Sequence, residues 1–136
     1  MIDIGCSNHM TRERHMLTDF MDAIKPYMSI IFGGGSKGHV LGLGKVAITN
    51  NTTLANVMLA QSLKYNLLSI HQLASGSYDT LFGLTSVKVF RRDTLEVAFV
   101  GKLDSNLYTV DFSQESTYHA TCLMAKPTRV GYGIAG

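Results

Sequence analysis

The sequence predicts a small all-β fold with a single short helix, on three observations. Apolar residues alternate along His39–Thr49, four short β-like runs follow residue 77, and only Tyr65–Ala74 places leucine and isoleucine at helical spacing. The 136 residues, 46% hydrophobic and 16% charged, suit one packed domain and are unlike a disordered chain. We therefore expect a small β-barrel or sandwich.

The first part of the chain predicts one short strand that ends at a turn. Between Arg12 and Pro26 the apolar residues have mixed spacing, so a short helix and an irregular segment both remain open, and Pro26 ends the segment. Tyr27–Phe32 is predicted as a short strand because it is rich in apolar and β-branched residues. A turn or hairpin tip is expected at the polar, glycine-rich run Gly33, Gly34, Gly35, Ser36, Lys37 and Gly38.

A longer hairpin is expected next. The period of two along His39–Thr49 predicts a strand, in which Gly42 and Gly44 indicate a bend, a bulge or a close approach of another backbone. Asn50, Asn51 and Thr52 supply turn residues, and the run from residue 54 to residue 59 is predicted as the returning strand.

One helix and a series of short strands complete the predicted domain. The helix is expected over Tyr65–Ala74, with Asn66 as its N-cap and Gly76 just past its end. Strands are predicted at 78–82, 86–91, 96–99 and 106–112, separated at Gly83, Asp93 and Gly101. The domain is accordingly expected to span residues 1–112, with 113–136 a linker or disordered tail towards a missing downstream domain.

The charge and the cysteines restrict the classes of function. A net charge of +2 gives no strong field for nucleic acid or an anionic membrane, so neither partner is expected. No apolar run approaches a membrane span, and no signal pattern begins the chain, which favours a cytoplasmic or nuclear location. Cys6 and Cys122 are expected as free thiols in such a compartment. No cofactor is expected.

Four ordered motifs carry a resemblance to a known family. The motifs are Asp3-Ile-Gly-Cys-Ser-Asn-His-Met-Thr11, Phe32-Gly-Gly-Gly-Ser-Lys-Gly38, Leu41-Gly-Leu-Gly-Lys-Val46 and Asn66-Leu-Leu-Ser-Ile-His-Gln-Leu73. Taken together they resemble the protease region of a copia-type LTR retrotransposon Pol polyprotein, of the Tnt-like plant kind. Later pieces, such as Gly101-Lys-Leu103, agree with this resemblance, which covers nearly the whole chain.

The resemblance implies a retropepsin-like β-barrel that dimerises, with one aspartate from each protomer. Asp3 matches the catalytic position, where two carboxylates share a proton and activate a water. Gly33–Gly38 resembles the flap that folds over a peptide substrate of the polyprotein. The family has serine or threonine where Ile4 stands, and an alkyl group cannot form the hydrogen bond of that hydroxyl.

The chain also begins only two residues before Asp3, where the family threads an apolar strand into the turn. Both departures favour a truncated or degenerate copy. We therefore expect a retrotransposon-derived, protease-like β-barrel domain of a Pol polyprotein with impaired catalysis. The alternative is an active homodimeric aspartic endopeptidase that processes the polyprotein.

Other readings of the polar residues are less favoured. The glycine run also suits a plain hairpin loop, whereas a phosphate loop is disfavoured because Val46 follows Gly44-Lys45. Cys6-x-x-His9 and His119-x-x-Cys122 would suit zinc if the two ends met, but free thiols and surface histidines are the favoured interpretation, so no metal is expected. Arg91 and Arg92 are expected at a solvated strand end.

Overall fold

A computed structural model describes residues 8–31, 37–63, 66–104 and 107–109. Strands dominate this part of the chain, which confirms the all-β class. The nine strands pair in two open sheets, and no closed barrel is found among the described residues. Their bounds are β1 Met10–Thr11, β2 Thr18–Asp22, β3 Ser29–Ile31, β4 Lys37–Thr49, β5 Thr52–Ala60, β6 Tyr78–Phe82, β7 Ser86–Arg91, β8 Val97–Asp104 and β9 Leu107–Thr109.

The first sheet is built around the long hairpin β4–β5. Its order is β1-β5-β4-β2, and β3 pairs with the start of β4. Along β4, Val40, Gly42, Gly44, Val46 and Ile48 are buried and the residues between them are half-buried or exposed, which confirms the predicted period of two. Turn residues 50–51 and the returning strand are also confirmed.

For residues 12–26 the sequence was compatible with a short helix or an irregular segment. The structure has a 3₁₀ turn at Arg14–Met16, followed by β2. β2 pairs antiparallel with β4 beside its glycines, with a register shift between Thr18 and Met21. A Cβ on Gly42 would clash with the Phe20 ring and the Met21 carbonyl oxygen. Close backbone approach is thus confirmed, and the register shifts of the β4–β5 pairing next to Gly42 and Gly44 agree with the predicted bulge.

The helix is shorter than predicted. Helix α1 covers Ile70–Ser75 and ends at Gly76, as predicted, but its N-cap is Ser69, so Asn66 as cap and helical structure over residues 66–69 were wrong. The Ser69 hydroxyl accepts a hydrogen bond from the Gln72 backbone N–H at 3.0 Å. Leu67 instead forms a β-bridge with Met10, so the chain before Ser69 is extended.

The second sheet has the order β6-β7-β8-β9, all antiparallel. The bounds of β6 and β7 are as predicted. Gly101 does not separate two strands; it lies within β8, paired with Val87 and buried. The predicted tail, 113–136, lies outside the described residues.

The larger of two hydrophobic clusters joins both sheets and the helix. It contains Val46, Ile48 and Val57 from the first sheet, Leu68 and Leu73 around α1, and the second-sheet residues Val87, Val89 and Phe99. Leu68, Leu73, Val87 and Val89 are at most 1% exposed. Of Leu67, Ile70 and Leu73, which have helical spacing, Leu73 is buried in this core and Ile70 packs against it, whereas Leu67 precedes the helix and packs against the smaller cluster. In the described residues, no helix is long and apolar enough to cross a membrane.

Candidate functional site

Strand β1, which follows the Asp3-x-Gly motif along the chain, is held on both sides. It pairs in parallel with β5, Met10 beside Met58 and Thr11 beside Leu59. On its other side, Met10 and Leu67 exchange backbone hydrogen bonds, N to O distances of 3.0 and 2.8 Å. The chain is thereby fixed in position from His9 onwards, since the His9 carbonyl also accepts from the Met58 N–H at 2.9 Å.

Polar side chains, all buried except the half-buried Gln72, connect this strand to the residues around α1. We call them the anchor cluster: His9, Thr11, Asn66, Ser69 and Gln72. The Thr11 hydroxyl, fully buried, donates to the Asn66 side-chain oxygen at 2.8 Å. That same oxygen accepts the Arg12 N–H at 3.1 Å, which satisfies the buried amide.

His9 provides the second connection. Its ring is 2% exposed, and Nδ1 accepts a hydrogen bond from the Ser69 backbone N–H at 2.9 Å. Because Nδ1 accepts, the ring proton is assigned to Nε2. Burial lowers the pKa of His9 to about 4, so the ring is neutral near pH 7. The expectation that His9 lies at the surface was wrong.

Gln72 completes the cluster from the first turn of α1. Its side-chain oxygen accepts the His9 N–H at 2.9 Å. Its side-chain NH₂ donates to the carbonyl oxygens of Ala55 and Asn56 in β5, each at 3.1 Å. One glutamine therefore ties together β5, α1 and the segment before β1. Sequence reasoning missed it, although the Ser69-x-x-Gln72 spacing of a capping box was a local signal.

The predicted site residues are placed only in part. Asp3 and Gly33, Gly34, Gly35 and Ser36 lie outside the described residues. Lys37 and Gly38, predicted in the turn, belong to β4 instead, where Lys37 pairs with Ile31 and Gly38 with Ile30. The glycine-rich run thus connects two antiparallel strands, in agreement with the predicted hairpin.

Of the residues in the zinc hypothesis, the structure describes only His9. Within the described residues, no three histidine, cysteine, aspartate or glutamate side chains lie together in a way that could hold a metal ion. Cys6, His119 and Cys122 lie outside, and the His9 Nδ1 atom is already engaged by Ser69. His15, His39 and His71 are exposed, as expected of surface residues.

A recess of about 350 Å³ lies where the loop between β2 and β3 passes over β4 and β5. Its lining is almost entirely apolar, and of the described lining residues only Asp22 is ionisable. A single exposed carboxylate does not form a catalytic pair, so this recess offers packing surface and not a reaction site. Its apolar lining includes Met21, Ile24, Pro26, Met28, Leu43 and Met58.

The fold and the anchor cluster define a small all-β domain in which a buried polar network holds the strand after an Asp-x-Gly motif. A family model described as "Pol polyprotein, beta-barrel domain" matches residues 1–78, which is more than half of the chain. The chain belongs to this family and is a domain of a Pol polyprotein. Comparisons with curated proteins and with solved structures find no match.

Proposed function

We propose that this chain is the protease-like domain of a copia-type LTR retrotransposon Pol polyprotein, similar to those of Tnt-like elements, and that Ile4 impairs its catalysis. The observation that carries the proposal is the anchor cluster. It joins the first and the last of the four motifs, Asp3–Thr11 and Asn66–Leu73, through side-chain and backbone hydrogen bonds. Residues some 60 positions apart in the sequence thus form one buried unit.

This unit suits the support of a catalytic turn. A site residue acts only if the surrounding structure holds it in place, and here the chain leaving the Asp3 turn is fixed from His9 onwards by β5 and by α1. In the proposed ancestral mechanism, Asp3 from each of two chains shares one proton. One carboxylate accepts a proton from the attacking water, and the other donates to the carbonyl oxygen of the peptide bond.

Ile4 is the reason to propose impairment. In the family, a serine or threonine hydroxyl at this position locks the two active-site turns together across the dimer axis. The isoleucine side chain has no donor or acceptor, and its extra methylene adds bulk at a crowded axis. In a weaker dimer the two Asp3 carboxylates are less often held close together. The shared proton and the activated water are then lost.

The test compares Ile4→Thr with Ile4→Val in the full chain. Threonine and valine have nearly the same shape and differ by the hydroxyl, so a difference between them reports the hydrogen bond. Cleavage of a polyprotein-derived peptide library is followed by mass spectrometry at about pH 5. We expect no cleavage by the unaltered chain or Ile4→Val, and cleavage by Ile4→Thr that Asp3→Asn abolishes.

The alternative function is an active homodimeric aspartic endopeptidase. It is favoured by the complete hydrogen bonding of the anchor cluster, which leaves the support of the turn undamaged. Cleavage by the unaltered chain that disappears in Asp3→Asn would establish this alternative. No cleavage by a folded Ile4→Thr chain would contradict the protease-like proposal itself. Sedimentation velocity of each variant reports the dimer separately.

A further inference from the structure

The outer surface of the second sheet combines exposed apolar side chains with two lysines. The pairing places Leu81, Lys88 and Val100 in one row across β6, β7 and β8, and Asp79, Phe90 and Val97 in the next row. Residues directly opposite each other share a face. Leu81, Val97 and Val100 are 61%, 54% and 48% exposed. We call this surface the outer face: Asp79, Leu81, Lys88, Phe90, Val97, Val100 and Lys102.

The other side of the same sheet is already used. Val87, Val89 and Phe99 alternate with the outer residues and are buried in the core. The outer face is therefore half apolar, whereas a solvated side of a sheet is usually polar. The outer face lies outside the residues 1–78 that the family model matches.

Charge restricts what can cover this face. Lys88 lies in the central strand, between Leu81 and Val100 in its row. In residues 8–31, 37–63 and 66–102, neither Lys88 nor Lys102 forms an ion pair, while the nearby Asp79 is paired with Arg92 at 3.1 Å. A partner that covers Lys88 removes its ammonium from water, and a buried charge without a counter-charge is costly.

Size and backbone chemistry restrict the partner further. The exposed apolar area is on the order of 300 Å², well below the roughly 800 Å² per side of a stable dimer. A second copy would also bring two Lys88 ammonium groups together. The centre of a sheet face presents side chains and no free backbone groups, so a segment lying on it must satisfy its own backbone hydrogen bonds, as a helix does.

We propose that the outer face binds an amphipathic helical segment of another protein, whose apolar stripe carries a glutamate or aspartate at its middle. The leucine-like side chains of that stripe pack on Leu81, Phe90, Val97 and Val100. The carboxylate in the stripe pairs with Lys88. Single-stranded nucleic acid is the less favoured occupant, because the face has one aromatic residue and two cations in place of a stacking platform.

The test uses three synthetic helical peptides of about 18 residues. They share one leucine stripe and differ only at its central position, which is glutamate, glutamine or lysine. Binding to the full chain is measured by fluorescence anisotropy, and the surface is located by amide shifts in ¹H–¹⁵N spectra. We expect the glutamate peptide to bind at least about tenfold more tightly than the lysine peptide. Its shifts should map to β7 and β8.

Charge reversal provides the decisive comparison. Lys88→Glu should reverse the preference between the glutamate and lysine peptides, while Lys25→Glu, the same charge change at an exposed residue outside the face, should leave it unaltered. Val100→Thr keeps the side-chain shape and should weaken binding of all three peptides. It therefore reports the apolar contact without disturbing the sheet.

Several results would overturn the proposal. These are equal affinity for the three peptides, no binding by any of them, or shifts that map outside the outer face. Tighter binding of an oligouridylate would assign the face to nucleic acid. Self-association that Lys88→Glu removes would assign it to a second copy. Contacts between the face and residues after Thr109, seen as NOEs, would make the chain its own partner.

Discussion

His9 combines near-complete burial with a hydrogen bond that only the neutral ring can accept. Its pKa of about 4 in the folded protein lies below the ordinary value of 6.5. Between these two values the unfolded chain binds a proton that the folded protein does not. Stability from this residue is therefore fully present above about pH 6.5 and is lost as the pH falls towards 4.

The first prediction concerns this pH dependence. The shift corresponds to roughly 3 kcal/mol of unfolding free energy between pH 6.5 and 4. His9→Asn places an amide oxygen close to the position of Nδ1 and does not titrate. Urea unfolding at several pH values should show a shallower loss of stability in this variant. The matched His71→Asn, at an exposed residue, should retain the slope of the unaltered chain, and equal slopes for all three would contradict the assignment.

This pH range matters for the cleavage test as well. At about pH 5, His9 is protonated in the unfolded chain and neutral in the folded protein. This difference lowers the free energy of unfolding by roughly 2 kcal/mol. Circular dichroism at the assay pH therefore has to accompany any negative cleavage result. Otherwise an unfolded chain would be mistaken for an inactive one.

Gly42 is the second case in which one residue determines local structure. A Cβ there would meet the Phe20 ring and the Met21 carbonyl, and backbone cannot move aside as easily as a flexible side chain. We predict that Gly42→Ala lowers the free energy of unfolding by about 2–3 kcal/mol. Gly83→Ala, whose Cβ would be at least 3.4 Å from its neighbours, serves as the control and should change stability by less than about 1 kcal/mol. Similar losses of stability in the two variants would mean that β2 does not approach Gly42 of β4 this closely.

At the scale of elements, Arg92 joins the end of α1 to the second sheet. Its guanidinium donates to the carbonyl oxygens of Ala74, Gly76 and Tyr78 at 2.7–3.1 Å and pairs with Asp79. Arg92 directly follows β7 and is exposed, as the predicted solvated strand end requires, and these hydrogen bonds are an additional role that the sequence did not indicate. A cation at a helix C-terminus also interacts favourably with the free carbonyls there.

The third prediction follows from the planar shape of this group. Lysine retains the charge but cannot make the same set of directed hydrogen bonds. Arg92→Lys should cost about 1–2 kcal/mol of unfolding free energy, and amide exchange in 74–78 should accelerate. Arg91→Lys is the control, since Arg91 donates one side-chain hydrogen bond, to the Asn51 carbonyl, and its loss should be smaller. An equal loss in both would show that the network around Arg92 adds nothing.

The elements that the sequence predicted well are those with a local signal. The alternation along β4 and the bounds of β6 and β7 can be read from consecutive residues. Asn66 and His9 were misassigned because their partners lie 55 and 60 positions away, at Thr11 and Ser69. An asparagine before an apolar run predicts a helix cap equally well. The tertiary hydrogen bond between Asn66 and Thr11 of β1 is the reason that Asn66 does not cap the helix. Ser69 is the N-cap instead.

At the scale of the whole molecule, the shared core joins the two sheets into one folding unit. Val87, Val89 and Phe99 of the second sheet pack with Val46, Val57 and the other buried residues of the first. The family model ends at Tyr78, where the second sheet begins. The core does not end there, which favours a domain that extends beyond the matched residues.

The last prediction tests this by ending the chain after Tyr78. Such a fragment loses three buried side chains worth roughly 2 kcal/mol each, a large part of the 5–15 kcal/mol that stabilises an ordinary domain. We expect the fragment to show no cooperative urea transition, whereas a chain ending after residue 112 should unfold in one cooperative transition.

The full chain allows a second test of the shared core. Val57→Ala and Val89→Ala should shift the single unfolding transition alike, seen by both circular dichroism and tyrosine fluorescence. Two separate transitions, or a cooperatively folded 1–78 fragment, would show that the sheets are independent and that the second sheet is an addition to a complete domain.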